Sequence, residues 1–181
     1  TGTPLVIRQC THLSRAIVNT NFPTGRRPFL GWMARRYFRE AEAILAVSNG
    51  VADDLASVAA LPRRAIRTIY NPVVTPDLQA RVSAPLDHPW FAPGAPPVLL
   101  GVGRLAAQKD FPTLIRAFAR VRAHRPVRLM ILGEGKKRRE LEELADTLGV
   151  RQDLALPGFE ENPFAYMARA GVFVLSSAYE G

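Results

Sequence analysis

Short apolar runs alternate with amphipathic stretches along most of the chain. The aliphatic and β-branched runs predict strands at residues 5–8, 43–47, 66–70, 97–103, 127–133, 153–156 and 172–176. Apolar residues at helical spacing predict helices at residues 28–42, 49–60, 110–124, 137–148 and 163–170. Ser48 and Asn162 stand at positions where helix N-caps are expected. Strands and helices in alternation predict an α/β fold, with parallel sheets covered on both faces.

The periodicity breaks in a proline-rich stretch between Pro72 and Pro97. This composition is typical of a connector between domains. We therefore expect one α/β domain over residues 1–75, a connector over 76–95 and a second α/β domain over 96–181. The chain begins with Thr1 close to a predicted strand and ends just after another, so we expect it to be an internal piece of a longer protein.

Composition narrows the classes of partner. The chain has 181 residues, of which 48% are hydrophobic, and a net charge of +8. It can therefore bury a core, and its charge favours an anionic partner such as phosphate, an acidic membrane surface or nucleic acid. The single cysteine, Cys10, excludes an internal disulfide and a cysteine metal cluster. The sequence shows neither a membrane-spanning apolar run nor a signal peptide, so we expect a cytoplasmic location.

The segment GVGRLAAQKDFPTLIRAF, residues 101–118, joins a predicted strand to a predicted helix. In an open parallel sheet, ligands bind beyond the carboxyl ends of the strands, so this loop is placed to bind one. Gly101 and Gly103 let the backbone approach a ligand, and the helix N-terminus adds positive charge. Arg104 and Lys109 are interpreted either as solvated surface charges or as a clamp for phosphate.

The first six residues of this segment also fit the G-x-G-x-x-A pattern of a dinucleotide site. That site needs a helix directly after the glycines and an acidic residue about 20 residues further on, to bind ribose. Here Pro112 marks a later helix start, and the next acid at a strand end, Glu134, lies too far along the chain. We therefore do not expect a nicotinamide or flavin cofactor.

Ordered motifs extend over nearly the whole chain: AEAILAVSNGVADDL, IRTIYNPV, GRLAAQKDFPTLIRAF, LMILGEGKKRRELEELADTLGV and LALPGFEENPFAYMARAGVFVLSSAYEG. In this order and spacing they resemble the GT-B glycosyltransferases of the retaining family 4, also called glycosyl transferases group 1. The resemblance implies two Rossmann-like domains facing a cleft, both truncated here, with the acceptor side in 1–75 and the donor side in 96–181. It implies that a nucleotide-diphosphate sugar, acting as co-substrate, gives its sugar with retention to a glycan or lipid-linked acceptor.

The resemblance also implies which residues carry the chemistry. Arg104 and Lys109 match the diphosphate clamp of the family, where fixed cations stabilise the charge that develops on the leaving phosphate. The sequence contains no D-x-D motif, so we expect these side chains to replace a metal ion. Glu180 matches the first carboxylate of the E-x7-E signature, which contacts the donor sugar. The second carboxylate would lie beyond Gly181, so we expect the 181-residue chain to be inactive alone.

Further residues are implied to line the nucleotide cleft, with Phe159 near the base. They are Gly103, Gly133, Glu134, Gly135, Gly158, Phe159 and Gly181. A position in the core is the alternative for Phe159. The cations at 136–139 are interpreted as a solvated helix start, with contact to an anion as the alternative.

On the acceptor side, His12 follows the first predicted strand. The family often has a histidine or arginine near this point, but counting from Pro4 makes Cys10 the nearest counterpart. Both residues are therefore candidates. The alternative for His12 is a loop histidine with a local hydrogen bond.

The helix at 28–42 mixes aromatic and basic residues, namely Phe29, Trp32, Tyr37, Phe38, Arg35, Arg36 and Arg39. We favour a core helix with a solvated basic face, because one face of such a helix must cover its own sheet. Peripheral contact with an anionic membrane, on its inner face, is the alternative.

Two other functions stay open. A sugar-nucleotide epimerase or hydrolase shares this architecture, and a basic nucleic-acid-binding domain agrees with the charge. The latter predicts a basic aromatic signature of the RNA-recognition type, which the sequence lacks, so we expect no nucleic-acid partner.

Overall fold

The computed structural model describes residues 2–19 and 27–180, and it divides the chain into two compact units. One comprises Thr1–Val73 with Tyr179–Gly181, and the other comprises Val74–Ala178. Each unit has its own parallel sheet and its own buried core. The α/β fold with parallel sheets predicted from the sequence is confirmed.

The first unit is a three-stranded parallel sheet packed against helices. Its strands are β1 (Val6–Gln9), β2 (Ala43–Ala46) and β3 (Ile66–Thr68), in the order β1-β2-β3. Its helices are α1 (Leu13–Asn19), α2 (Arg27–Arg39) and α3 (Asn49–Ala59). Phe38 of α2 and Leu55 of α3 are buried in the same core as Ile44. Ser48 caps α3 as predicted, since its Oγ accepts a hydrogen bond of 3.2 Å from the Val51 N–H.

The second unit is a four-stranded parallel sheet covered on both faces. Its strands are β4 (Val98–Val102), β5 (Arg128–Leu132), β6 (Leu154–Gly158) and β7 (Val172–Phe173), in the order β6-β5-β4-β7. Its helices are α4 (Leu78–Ser83), α5 (Phe111–Arg122), α6 (Arg138–Thr147) and α7 (Pro163–Met167). Leu129 and Ile131 of β5 pack with residues of α5 and α6, whereas Met130 and Leu132 pack with Tyr166 of α7. Successive residues of the strand thus fill two cores, which explains its unbroken apolar run.

The proline-rich segment predicted to be a connector folds onto the second unit. It contains α4 and a 3₁₀ turn at Pro89–Phe91. Trp90 and Phe91 pack against the core of Val98 and Tyr166, and the Arg81 guanidinium lies 4.8 Å from the ring centroid of Phe164. Helix α4 is too short to show helical periodicity, and tertiary contacts hold it in place. The structure therefore sets the boundary between the units at Val73–Val74.

Asn162 precedes α7, but it does not cap this helix, so that prediction was wrong. Its Nδ2 donates a hydrogen bond of 2.8 Å to the Arg81 carbonyl oxygen, and α7 has no side-chain cap. The Arg81 guanidinium in turn donates to the Glu161 carbonyl oxygen at 2.8 Å. The side chain that the sequence offers as a cap is used to dock α4.

Limited proteolysis tests this boundary. Residues 69–77 form a continuous exposed run, whereas Trp90 and Phe91 are half-buried. Between β3 and β4, we expect chymotrypsin to cut first after Tyr70, because a protease needs a backbone that can leave its contacts. Mass spectrometry of the earliest fragments identifies the site. First cleavage after Trp90 or Phe91 would instead support a mobile connector over 76–95.

Candidate functional site

The loops that follow β4, β5 and β6 are joined by backbone hydrogen bonds. The N–H to carbonyl pairs are Gly103 to Leu132 (2.9 Å), Gly133 to Gly158 (2.6 Å) and Leu105 to Glu134 (2.8 Å). Each bond connects one strand end to the next strand end, so the three loops form one wall. This wall stands at the carboxyl edge of the sheet, where open parallel sheets bind their ligands.

Two of the predicted glycines are required by the close approach of these loops. A Cβ atom on Gly133, which has φ +135°, would lie 2.1 Å from the carbonyl oxygen of Gly103. A Cβ atom on Gly135 would lie 2.3 Å from the carbonyl oxygen of Leu105. Backbone atoms cannot rotate away as a side chain can, so no other residue fits at either position without moving a loop.

A cleft of ≈ 390 Å³ opens over the wall. Among its lining residues are the predicted site residues Gly103, Arg104, Gly133, Glu134 and Phe159. Phe159 is 77% exposed, so its alternative interpretation as a core residue was wrong. Its aromatic face is available to a ligand. The cleft is therefore formed largely by residues that the sequence had singled out.

The two predicted cations lie beside Gly103. Arg104 is exposed and lines the cleft, and its guanidinium makes no hydrogen bond or ion pair with residues 2–19 or 27–180. The buried Leu105 anchors the loop next to it. The Lys109 side chain lies across Gly103, because a Cβ atom there would be 2.9 Å from Lys109 Cε. Both cations thus come from one loop: Arg104 follows Gly103 directly in the chain, and the Lys109 side chain lies over it.

A second cavity, of ≈ 360 Å³, shares Arg104 with the cleft. Its lining includes Gly135, Lys136 and Lys137. The structure therefore places Gly135 in this second cavity, whereas the resemblance had implied the nucleotide cleft. The Lys137 ammonium is 2.5 Å from Glu140 Oε2, which neutralises part of the positive charge.

Arg138 holds the carboxylate of Glu134, so its interpretation as a merely solvated cation was wrong. Its Nη2 donates to Glu134 Oε1 at 2.9 Å, and its Nη1 donates to the Leu156 carbonyl oxygen at 2.8 Å. Glu134 Oε1 also lies over Gly158, where a Cβ atom would approach it to 2.6 Å. Glu134 and Arg138 are four residues apart, a spacing that would have indicated the pair.

Glu160 is a cleft residue that the sequence reasoning missed. It lines the cleft next to Phe159, and its carboxylate lies near the Tyr166 hydroxyl. Burial of Tyr166, together with this neighbouring carboxylate, raises the pKa of the phenol above its usual value. Its position directly after Phe159, in the loop that follows β6, could have indicated that Glu160 lines the cleft.

The segment after β7 is bound to the loop that carries Lys109. The Ser176 hydroxyl donates to the Lys109 carbonyl oxygen at 2.8 Å, and the Ala178 N–H donates to the Gln108 carbonyl oxygen at 2.9 Å. Glu180 follows this attachment and is exposed. Gly181 lies outside the described residues.

In the first unit, His12 and Cys10 follow the carboxyl end of β1. Cys10 has an exposed thiol. His12 Nδ1 lies 3.8 Å from Asp54 Oδ1 of α3, and Asp54 also accepts a hydrogen bond of 3.0 Å from the Ser14 N–H. The imidazole packs over Gly50, where a Cβ atom would be 3.5 Å from Nε2. The tertiary fold brings Asp54 near His12, so no local sequence signal could have shown this pair.

Helix α2 presents both an apolar and a basic surface. Phe38 is buried, but Phe29, Trp32 and Tyr37 are exposed, and the rings of Phe29 and Trp32 stack at 5.9 Å. The residues Trp32, Arg35, Arg36 and Arg39 line a shallow cavity. The favoured interpretation, in which the aromatic residues form the core face, therefore holds for Phe38 alone among these four.

Neither a membrane-spanning helix nor a cluster of metal ligands occurs in the part of the chain that the structure describes. None of the helices in residues 2–19 and 27–180 is both long and apolar enough to cross a membrane. In the same two ranges, no group of three His, Cys, Asp or Glu side chains is placed to hold a metal ion.

Sequence comparison identifies the class of this protein. The family model described as "Glycosyl transferases group 1" matches residues 86–181. The chain is 32% identical over 179 residues to the N-acetylgalactosamine-N,N'-diacetylbacillosaminyl-diphospho-undecaprenol 4-alpha-N-acetylgalactosaminyltransferase of Campylobacter jejuni, covering 99% of this chain and 46% of the relative. It is 35% identical over 144 residues to the lipopolysaccharide core biosynthesis glycosyltransferase LpsE of Rhizobium meliloti, covering 80% and 40%. The chain belongs to the glycosyl transferases group 1 family.

Structural comparison agrees on the fold. TarM superposes with a TM-score of 0.72 at 16% identity, covering 100% of this chain and 33% of TarM. HepE of Anabaena, in complex with UDP and glucose, superposes with a TM-score of 0.70 at 19% identity, covering 96% and 46%. The architecture is that of the GT-B glycosyltransferases. The chain spans about half the length of the two curated relatives above.

Proposed function

We propose that the protein containing this chain transfers a sugar from a nucleotide-diphosphate donor to a glycan or lipid-linked acceptor, with retention and without a metal ion. The observation that carries the proposal is the cleft lined by Arg104 and the exposed ring of Phe159, with the Lys109 side chain lying over Gly103 at its edge. A sugar nucleotide offers a base, a ribose and a diphosphate in that order. The cleft offers an aromatic face, closely spaced glycines and the Arg104 cation, and Lys109 lies over one of these glycines.

The cations supply the catalytic part of this proposal. Breaking the bond between sugar and diphosphate builds negative charge on the leaving phosphate. Cationic groups held at that position stabilise the transition state more than the ground state. Arg104 can bind two phosphate oxygens through its planar guanidinium, while Lys109 acts as a compact charge. They would do the work that a divalent cation does in metal-dependent transferases.

Glu180 is proposed to contact the hydroxyls of the donor sugar. The support is its match to the first carboxylate of the E-x7-E signature. Gly158 and Gly181 complete the proposed donor site, together with the glycines of the wall.

The acceptor is proposed to bind to the first unit, where His12 lies near Asp54 and Cys10 is exposed. The name of the Campylobacter relative describes transfer to an undecaprenol-linked diphospho-sugar. A lipid-linked acceptor would bring the protein to a membrane, and the exposed aromatic and arginine side chains of α2 suit an anionic surface. We therefore propose a cytoplasmic protein with peripheral contact at the inner face.

The test is sugar transfer by the complete protein from a set of nucleotide-diphosphate sugars to lipid-linked acceptors, with and without EDTA. We expect a product whose new bond has the anomeric configuration of the donor, shown by NMR, and a rate that EDTA does not change. An inverted product would contradict retention, and a rate restored only by added Mg²⁺ or Mn²⁺ would contradict metal independence. Release of free sugar without transfer would favour the hydrolase alternative.

A further inference from the structure

We propose that Glu160 recognises the base of the donor nucleotide and selects guanine over uracil. The proposal rests on the proposed function, because it assumes that the cleft binds a nucleotide. It goes further by naming the class of donor. Glu160 lines the cleft beside the exposed ring of Phe159, and its carboxylate lies near the Tyr166 hydroxyl.

The two carboxylates of the cleft differ in their surroundings. Glu134 is bound by the Arg138 guanidinium through both of its oxygens, at 2.9 and 3.4 Å. Glu160 forms no ion pair with any Lys or Arg within residues 2–19 and 27–180, and its partner there is a neutral hydroxyl. A carboxylate has about four lone-pair positions, so Glu160 keeps capacity for further donors. A charged group in this position favours a ligand that brings N–H donors.

Phe159 fixes which edge of a base would reach Glu160. A base that stacks on the Phe159 ring presents its hydrogen-bonding edge sideways, and proteins commonly recognise splayed bases by this combination of stacking and edge contacts. Glu160 is the next residue along the chain and lines the same cleft. The Tyr166 hydroxyl, whose ring is buried in the core below, is the neutral polar neighbour of this carboxylate.

The arrangement of N–H groups on the base then decides which nucleotide Glu160 favours. Guanine has adjacent N1–H and N2–H donors, which match the two oxygens of one carboxylate. Uracil has a single N3–H between two carbonyl oxygens, and both carbonyl oxygens repel a carboxylate. Adenine offers one amino group beside an acceptor nitrogen. A hydrogen bond to a charged group contributes enough to separate these bases by about tenfold or more.

The test is isothermal titration of GDP, UDP and ADP into the complete protein, its Glu160→Gln variant and its Glu161→Gln variant. We expect the unchanged protein to bind GDP at least about tenfold tighter than UDP. Glu160→Gln should weaken GDP by about tenfold and strengthen UDP, because an amide can accept from N3–H and donate to a carbonyl oxygen. Glu161→Gln is the matched control, since Glu161 is exposed and lines a different cavity with Arg81. It should change neither affinity by more than about twofold.

A second variant tests the surroundings of Glu160 without changing the charge. Tyr166→Phe removes the hydroxyl next to Glu160 but keeps the ring in its core, so it should reduce the preference for GDP over UDP in the same direction. If Glu160→Gln lowers GDP and UDP by the same factor, Glu160 contacts a part common to both nucleotides and base selection is overturned. Tighter binding of UDP that Glu160→Gln leaves unchanged also overturns it, while the proposed donor site stands. If none of the three nucleotides binds, both proposals fail.

Discussion

Replacing Arg104 or Lys109 by alanine is expected to lower the turnover of the complete enzyme by about 10² to 10³. This is the range for losing one preorganised group that faces developing charge. Arg104 is exposed beside the cleft, and Lys109 reaches the same glycine from the other end of the loop. Once a donor fills the cleft and displaces water, the interaction between a cation and the leaving phosphate is stronger than at an open surface.

The fold should survive both changes. The hydrogen bonds that hold this loop involve the backbone of Gln108 and Lys109, so they remain when the lysine side chain is removed. Circular dichroism checks this, and initial rates with the sugar nucleotide measure turnover. Lys109→Arg should restore activity only in part, because a planar fork does not occupy the place of a compact ammonium.

The matched control is Arg120→Ala, which removes an exposed arginine from α5, outside the cleft. It has the same charge change and should alter the rate by less than about twofold. Arg138 would be an unsuitable control, because it holds Glu134. Near-normal rates for both alanine variants at the clamp would show that these cations do not face the leaving phosphate.

Local patterns were sufficient to predict the elements that the core requires. In α5, Leu114, Ile115 and Phe118 recur at helical spacing and are all buried. The strands β4 and β5 read as continuous apolar runs because both of their faces are covered. Such signals are strong because each depends only on neighbours along the chain and on burial. The cationic loop could be placed for the same reason, since it follows directly from a predicted strand.

Features that depend on contacts distant in sequence could not be predicted in this way. Helix α4 has no clear period of its own and is held by Arg81 and Asn162. The orientation of His12 depends on Asp54, which belongs to a different element. The Glu134–Arg138 ion pair could have been predicted from the spacing of the two residues. Its position in the cleft could not, because that depends on Gly158 lying under the same carboxylate. The sequence showed which residues are chemically capable, and the fold shows which of them meet.

The second large effect is a loss of stability, expected when Gly133 in the wall of three loops is replaced. Gly133→Ala is expected to destabilise the second unit by about 3 to 5 kcal/mol, which is at the upper end for a single substitution. Part of this cost comes from a side chain at a positive φ of +135°, a backbone conformation that L residues rarely adopt. The rest comes from a Cβ atom 2.1 Å from the Gly103 carbonyl oxygen. Relief of that contact would separate the loops and weaken the bond from Gly133 to Gly158.

Gly135→Ala isolates the close approach of the loops. Gly135 has no positive φ, but a Cβ atom there would lie 2.3 Å from the Leu105 carbonyl oxygen. This variant should cost about 2 kcal/mol or more through that contact alone. Urea unfolding followed by fluorescence measures both variants, in a Trp32→Phe background that leaves Trp90 as the reporter for the second unit. A loss at Gly135 below about 0.5 kcal/mol would mean that backbone conformation, and not the close approach of the loops, requires glycine at 133. A loss of about 2 kcal/mol or more at Gly135 would mean that the wall, and with it the cleft, depends on that close approach.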